Sequence, residues 1–69
     1  MIYREIMKDF AIDERSAVVK EGDFVLFLED GELYDRKVWD VRCVDGNYEV
    51  KVCGANGGWK RKFYKLAED

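Results

Sequence analysis

Two short turn signals, fifteen residues apart, constrain this chain more than anything else in it. Asp30-Gly31 and Asp45-Gly46-Asn47 are residue combinations that supply the left-handed backbone conformations of tight hairpins. Each is flanked by runs rich in β-branched and aromatic side chains. Between them, Leu33 to Val44 carries Trp39, Val41 and Cys43 in alternation with Asp40 and Arg42. After the second turn, Tyr48, Val50 and Val52 alternate with Glu49, Lys51 and Cys53. Before the first turn, Ala17 to Glu29 has a β-rich second half too short for a buried helix, entered through Gly22-Asp23. The loop Gly54-Ala55-Asn56-Gly57-Gly58 then leads to a fourth segment, Trp59 to Leu66. The order predicts an antiparallel meander.

A chain of 69 residues is one domain with a small core, because it hides only about 60% of the surface its unfolded form exposes. With 48% hydrophobic and 39% charged residues it has the balance of a folded domain, not of a disordered tail. A meander this short, with no long amphipathic helix to cover it, buries its apolar face by curling on itself. The expectation is therefore a mainly β fold, a small SH3-like barrel of four to five antiparallel strands over residues 17–69. Such a barrel is filled by side chains, which sends function to the rim. Residues 1–16 precede it as an arm or a short helix. Ile2, Ile6 and Phe10 recur every four residues and suit one helical face, while Ile2, Tyr3, Ile6 and Ile12 also suit an extended arm.

Several classes of function are disfavoured by what the chain lacks. There is no histidine, so the commonest general base is missing, and two cysteines alone fall short of a zinc ligand set. Across the second hairpin, Cys43 falls opposite about residue 49 and Cys53 opposite about residue 39. That stagger is too long for a disulfide, so both read as free thiols in a reducing compartment. The glycine-rich loop lacks the Gly-Lys-Ser/Thr ending of a phosphate-binding loop. No catalytic residues and no cofactor are expected. No apolar run approaches the ~20 residues needed to cross a bilayer and no signal-peptide core is present, so an intracellular location without a membrane partner is expected.

The series Glu21-Gly22-Asp23, Val25-Leu26, Leu33-Tyr34-Asp35 with Lys37-Val38, Tyr48-Glu49-Val50-Lys51-Val52, then Gly54 and Trp59, resembles the chromo-barrel, or Tudor-knot, domain of chromatin proteins of the MORF-related-gene and male-specific-lethal type. The resemblance covers about two-thirds of the chain, from Glu21 onward. It implies a nuclear location and an aromatic cage at the barrel rim that receives a methylated lysine of a histone tail or another lysine-bearing peptide. A methylammonium is attracted to π-faces by ~0.5–2 kcal/mol per favourable contact. Carried over by position, Tyr34 and Trp59 match cage aromatics, and Glu29 occupies a further cage position. Val52 and Ala55 stand where the family has aromatics, and Lys60 stands where it has an acid. Trp39, Phe27 or Tyr64 are the remaining aromatics from which a wall could be rebuilt.

A second signal lies in residues 59–66. Lys60, Arg61, Lys62 and Lys65, interleaved with Trp59, Phe63 and Tyr64, bring four basic and no acidic residues. The whole chain has net charge −3, so the remainder carries seven net negative charges. That composition suits phosphate contacts with base stacking, as in RNA or single-stranded nucleic-acid binding. Set against it, a charged edge strand discourages aggregation, and the same cations have Asp35, Asp40 or Glu49 as pairing partners across the barrel. A protein–protein adaptor, using the N-terminal arm or exposed aromatics, is the third reading.

Overall fold

In the computed structural model, which describes residues 4–54 and 58–66, the chain is mainly β with antiparallel pairing throughout, a small barrel-like fold as expected. Eight strands form among these residues: β1 (Glu5–Met7), β2 (Phe10–Ile12), β3 (Val18–Lys20), β4 (Phe24–Glu29), β5 (Glu32–Val44), β6 (Asn47–Val52), β7 (Trp59–Lys60) and β8 (Tyr64–Lys65). The main sheet runs in the order β7-β6-β5-β4-β8, with β1 added to β5, and β2 and β3 form a separate hairpin. Five strands on the meander path match the expected four to five. The other three come from the N-terminal third.

Both Asp-Gly signals make two-residue turns with positive φ at each central residue: 51° and 79° at Asp30 and Gly31, and 50° and 84° at Asp45 and Gly46. That is the type I′ geometry whose twist matches the flanking strands. Asn47 is not part of the second turn but opens β6 opposite Val44. The turns fix the register: Leu28 faces Leu33 and Phe27 faces Tyr34 in the first hairpin, and Val41 faces Val50 in the second.

Alternation then sorts the side chains. Val25, Phe27, Val38, Val41, Val50 and Val52 point inward and are buried, joined by Ala11, Val19 and Phe63. The expected alternation breaks at one place, a β-bulge between Val38 and Asp40. One extra residue there turns Trp39 away from the face that holds Val41, leaving it 49% exposed. The same offset places the Cys53 N–H on the carbonyl of Lys37 rather than opposite residue 39, and Cys43 pairs with Tyr48. Both cysteines are free thiols.

Of the two forms open to the segment before residue 17, the extended one is found: no helix forms between residues 4 and 16, where the four-residue spacing allows one. Ile6 instead pairs with Cys43 on β1, and Ala11 enters the core from β2. Ile2 and Tyr3 lie outside the described residues. The segment 59–66 is also not one strand. β7 pairs with β6 and β8 pairs with β4, so the chain crosses from one edge of the sheet to the other within a few residues. Phe63, at the crossing, turns inward and is 1% exposed, which closes the barrel over a plug.

Asp13 ties this closure to the N-terminal hairpin. Its Oδ1 accepts the N–H groups of Arg15 and Ala17 at 2.8 Å each, and its Oδ2 accepts that of Lys65 at 2.7 Å. Burial opposes the charge, but three backbone donors outweigh it and hold the carboxyl below its ordinary pKa.

Candidate functional site

The register decides where each candidate cage residue points. Tyr34 sits opposite the buried Phe27 on the inner face, its ring stacked on that phenyl at 5.8 Å, and its hydroxyl donates to Glu32 at 3.0 Å. That hydrogen bond, reinforced by burial and by the neighbouring acids, raises the phenol above its ordinary pKa. Glu29 also points inward. Trp59 does not: it pairs with Lys51, whereas its neighbour Lys60 pairs with the fully buried Val50. Adjacent residues of a strand point to opposite faces, so Lys60 is inside and Trp59 outside. Tyr34 and Trp59 are on opposite faces of the sheet and form no common cage. Ala55 lies outside the described residues, and Val52 is core.

Inside the barrel mouth, the Lys60 ammonium donates to Glu29 and lies 5.1 Å from the centre of the Phe27 ring. The position that the resemblance assigns to a ligand's lysine is thus filled by a lysine of the chain itself. Of the other aromatics considered for a wall, Phe27 belongs to this inner cluster. Tyr64 lies on the outer face, its hydroxyl donating to Glu14 at 3.0 Å with the Arg15 guanidinium 4.9 Å from its ring. Its phenol is likewise raised by that hydrogen bond.

The basic segment is largely neutralised within the chain. Arg61 donates to Glu49 through Nε at 3.1 Å and Nη2 at 2.9 Å, Lys60 is on Glu29, and Lys65 lies 3.7 Å from Asp23. Glu49 is a partner that the sequence offered; Asp35 and Asp40 are not used, and Asp23 and Glu29 take their place. Lys62 is exposed and makes no ion pair among the described residues. Glu49, itself buried, is shared with Arg42, whose Nη2 approaches it to 2.7 Å. Burial works against its charge, but the two guanidinium groups prevail and hold the carboxyl below its ordinary pKa.

Two further features lie outside the expected site residues. The first is a ladder on the outer face of β5, β6 and β7. Arg42 lies 4.1 Å from the Trp59 ring centre, and the Lys51 ammonium lies 5.9 Å from Trp59 and 4.9 Å from Trp39. Only the bulge brings Trp39 to it, and nothing in the residues before the bulge announces one.

The second is an apolar outer face on β8, β4 and β5. Phe24, Leu26 and Leu28 alternate outward on β4, with Leu33 opposite Leu28, Tyr64 opposite Leu26, and the Leu66 N–H bonded to the Phe24 carbonyl. Leu28 and Leu33 are each 66% exposed and Phe24 is 50% exposed. This face was open to sequence reasoning: the unbroken apolar run Phe24 to Leu28 must place apolar groups on both faces of a strand.

An open depression of about 360 Å³ near the β5–β6 turn is lined by Ile12, Asp13, Tyr48 and Arg61 among others. Its acid, Asp13, is occupied by backbone donors. Among the described residues no cluster of three or more His, Cys, Asp or Glu side chains is placed to hold a metal ion, and no helix is long and apolar enough to cross a membrane. Comparison with protein-family models, with curated proteins and with solved structures gives no match for this chain.

Proposed function

We propose that this domain is a non-catalytic binding module that docks a protein partner on the outer face of β8, β4 and β5. The observation that carries the proposal is the cross-strand pair Leu28–Leu33, two-thirds exposed on both sides, continued along β4 by Phe24. A domain this small has little apolar surface to spare from its core, and a contiguous exposed apolar patch marks an interaction surface. The cage reading draws no support from the geometry, since its two aromatics diverge and Glu29 holds Lys60. The test is a photo-crosslinking amino acid placed at position 28 and, as a control, at position 62, in the source cells. Discrete adducts to protein from position 28 and not from 62 are expected. Equal labelling at both would overturn the assignment.

A second reading is favoured by the ladder. Trp39 offers an exposed indole with Lys51 beside it, the pairing that stacks a nucleobase and meets its phosphate, with stacking worth ~1–3 kcal/mol per base. Binding of single-stranded RNA would then run through Trp39 and Lys51, not through the neutralised segment 59–65. Quenching of indole fluorescence by a short oligouridylate, lost in Trp39→Ala and weakened by salt, is the outcome this reading requires.

A further inference from the structure

The bonds that β5 makes to its neighbours fix which of its backbone groups reach each edge. The Val38 N–H donates to the Asp23 carbonyl, and the two-residue turn at 30–31 makes Glu29 and Glu32 a hydrogen-bonded pair. Pairs along β4 and β5 alternate in kind, so Glu32, Tyr34 and Arg36 bond to β4, while Leu33, Asp35 and Lys37 turn their N–H and C=O groups to the opposite edge. There the Lys37 carbonyl takes the Cys53 N–H, and β6 joins β5 only from Val38 onward. Among the described residues, Leu33 and Asp35 have no backbone partner on that edge. One side chain stands in: Arg36 folds back over the Tyr34 ring, 5.1 Å from its centre, and its Nη1 donates to the Asp35 carbonyl at 2.8 Å. Glu32 faces Glu29 across the hairpin, and like charges so placed destabilise a strand pair. Lys60 relieves Glu29, but Glu32 receives only the Tyr34 hydroxyl and makes no salt bridge among the described residues.

We propose that this edge of β5 pairs antiparallel with the same edge of a second copy of the chain, about a two-fold axis through Tyr34. An open edge is a template for another strand, and charges on it normally keep identical edges apart. In this one register they attract. Leu33 of each copy exchanges both backbone bonds with Asp35 of the other, and the two tyrosines form the close non-hydrogen-bonded pair on the axis. Glu32 then faces Arg36 of the second copy, and Arg36 faces its Glu32, all on the side of the sheet that carries Tyr34. Moving Arg36 across frees the Asp35 carbonyl for the Leu33 N–H and gives Glu32 the cation its own hairpin withholds. On the outer side Leu33 comes opposite Asp35, whose carboxylate stays in solvent, and the two Leu33 side chains become diagonal neighbours. The adjacent registers fail. Centring on Asp35 sets that acid against its own counterpart and calls on the Lys37 carbonyl, already taken by Cys53. Centring on Leu33 leaves a single bonded pair before the turn at Gly31. The backbone groups suit any extended chain; the reciprocal match of Glu32 with Arg36 selects a second copy. The axis is perpendicular to the sheet, so the apolar outer faces of both copies stay open, and docking there is independent of this pairing.

The experiment is sedimentation equilibrium of the full chain over a concentration series, with amide hydrogen exchange measured at both ends of it. A dimer is expected, and the Leu33 and Asp35 amides should gain protection as it forms, while those of Tyr34 and Arg36, already bonded to β4, change little. Glu32→Arg and Arg36→Glu should each weaken the dimer at least tenfold, because each sets like charges across the axis. Mixed in equal amounts, the two variants should dimerise with each other, since every facing pair is then opposite in sign. Asp35→Pro removes an N–H that bonds nothing in β4, so it should abolish the dimer while the amide spectrum stays dispersed.

A chain that stays monomeric at millimolar concentration would overturn the proposal. So would a dimer that forms without protecting Leu33 and Asp35, which is the behaviour of two copies meeting through Leu28 and Phe24 on their outer faces. Folded charge variants that dimerise as well as the wild type, or that fail to pair when mixed, would overturn the register. Should either charge reversal unfold the chain, Asp35→Pro carries the decision alone: an unweakened dimer in that variant refutes pairing at this edge.

Discussion

Replacing Asp13 by alanine would test the closure of the barrel at the point where it is most concentrated. Asp13 is 7% exposed, and its carboxylate accepts three backbone N–H groups, two from its own turn and one from Lys65, fifty-two positions along the chain. A hydrogen bond to a charged group contributes ~1.5–3 kcal/mol, and donors left without a partner add to the loss. Arg15 and Lys65 lie near enough to solvent for water to replace part of this, so the expected loss is about 3 kcal/mol in total. Chains of this length have roughly 3.5–10 kcal/mol to lose. Urea unfolding followed by circular dichroism would show the midpoint falling with the slope unchanged.

Asp13→Asn is the internal control for the same experiment. It keeps one acceptor and presents an amide where the other stood, so about half the loss is expected. The pH dependence carries the sign. Because the folded carboxyl sits below its ordinary pKa, its contribution is complete above the unfolded value and is lost as pH falls through the folded one. The gap between wild type and Asp13→Ala should therefore be widest at neutral pH and narrow on acidification. A loss below about 1 kcal/mol, or a gap independent of pH, would refute the reasoning.

Phe63→Ala should cost about 3–5 kcal/mol in the same assay, because it empties the plug at the crossing between β7 and β8. Gly46→Ala, at φ 84° with open space around the Cβ, should cost about 1 kcal/mol through backbone strain alone and leave the spectrum dispersed. Glu49→Gln should also flatten the acid limb of the stability curve, since the wild-type carboxylate is held below its ordinary pKa by Arg42 and Arg61 and contributes only while ionised. Cys53, exposed, should be alkylated under native conditions faster than the half-buried Cys43, as mass spectrometry over a time course would show.

The sheet was legible in the sequence because its information is local. Asp-Gly turns dictate the hairpin register, and register with a two-residue period then dictates which valines are inside. What stayed hidden depends on pairings between distant segments. Nothing near Ile6 says that it will lie beside Cys43, and the apolar spacing over residues 2–10 fits a helix as well as a strand. Nothing near Trp59 says that β7 will face Lys51 outward, so a family resemblance placed Tyr34 and Trp59 in one cage although the pairing sends them to opposite sides. Glu49 was in view as a partner for 60–65, but Lys60 and Lys65 looked available because their partners, Glu29 and Asp23, lie far away in the chain. The apolar outer face was within reach of arithmetic: a two-residue turn at 30–31 forces Leu28 against Leu33.

The crossing of residues 59–65 from one sheet edge to the other also orders events during synthesis. A chain emerging from its N-terminus can form the β4–β5 and β5–β6 hairpins as soon as their residues appear, since each needs only its own turn. Among the described residues, the outer edges of β4 and β6 gain their hydrogen-bonded neighbours from Trp59, Lys60, Tyr64, Lys65 and Leu66. At ~5–20 residues per second, the nascent chain carries open strand edges and an unplugged core for seconds before it can close. The interval in which it is exposed to aggregation or to chaperones is set by where Phe63 stands in the chain, not by how stable the finished barrel is.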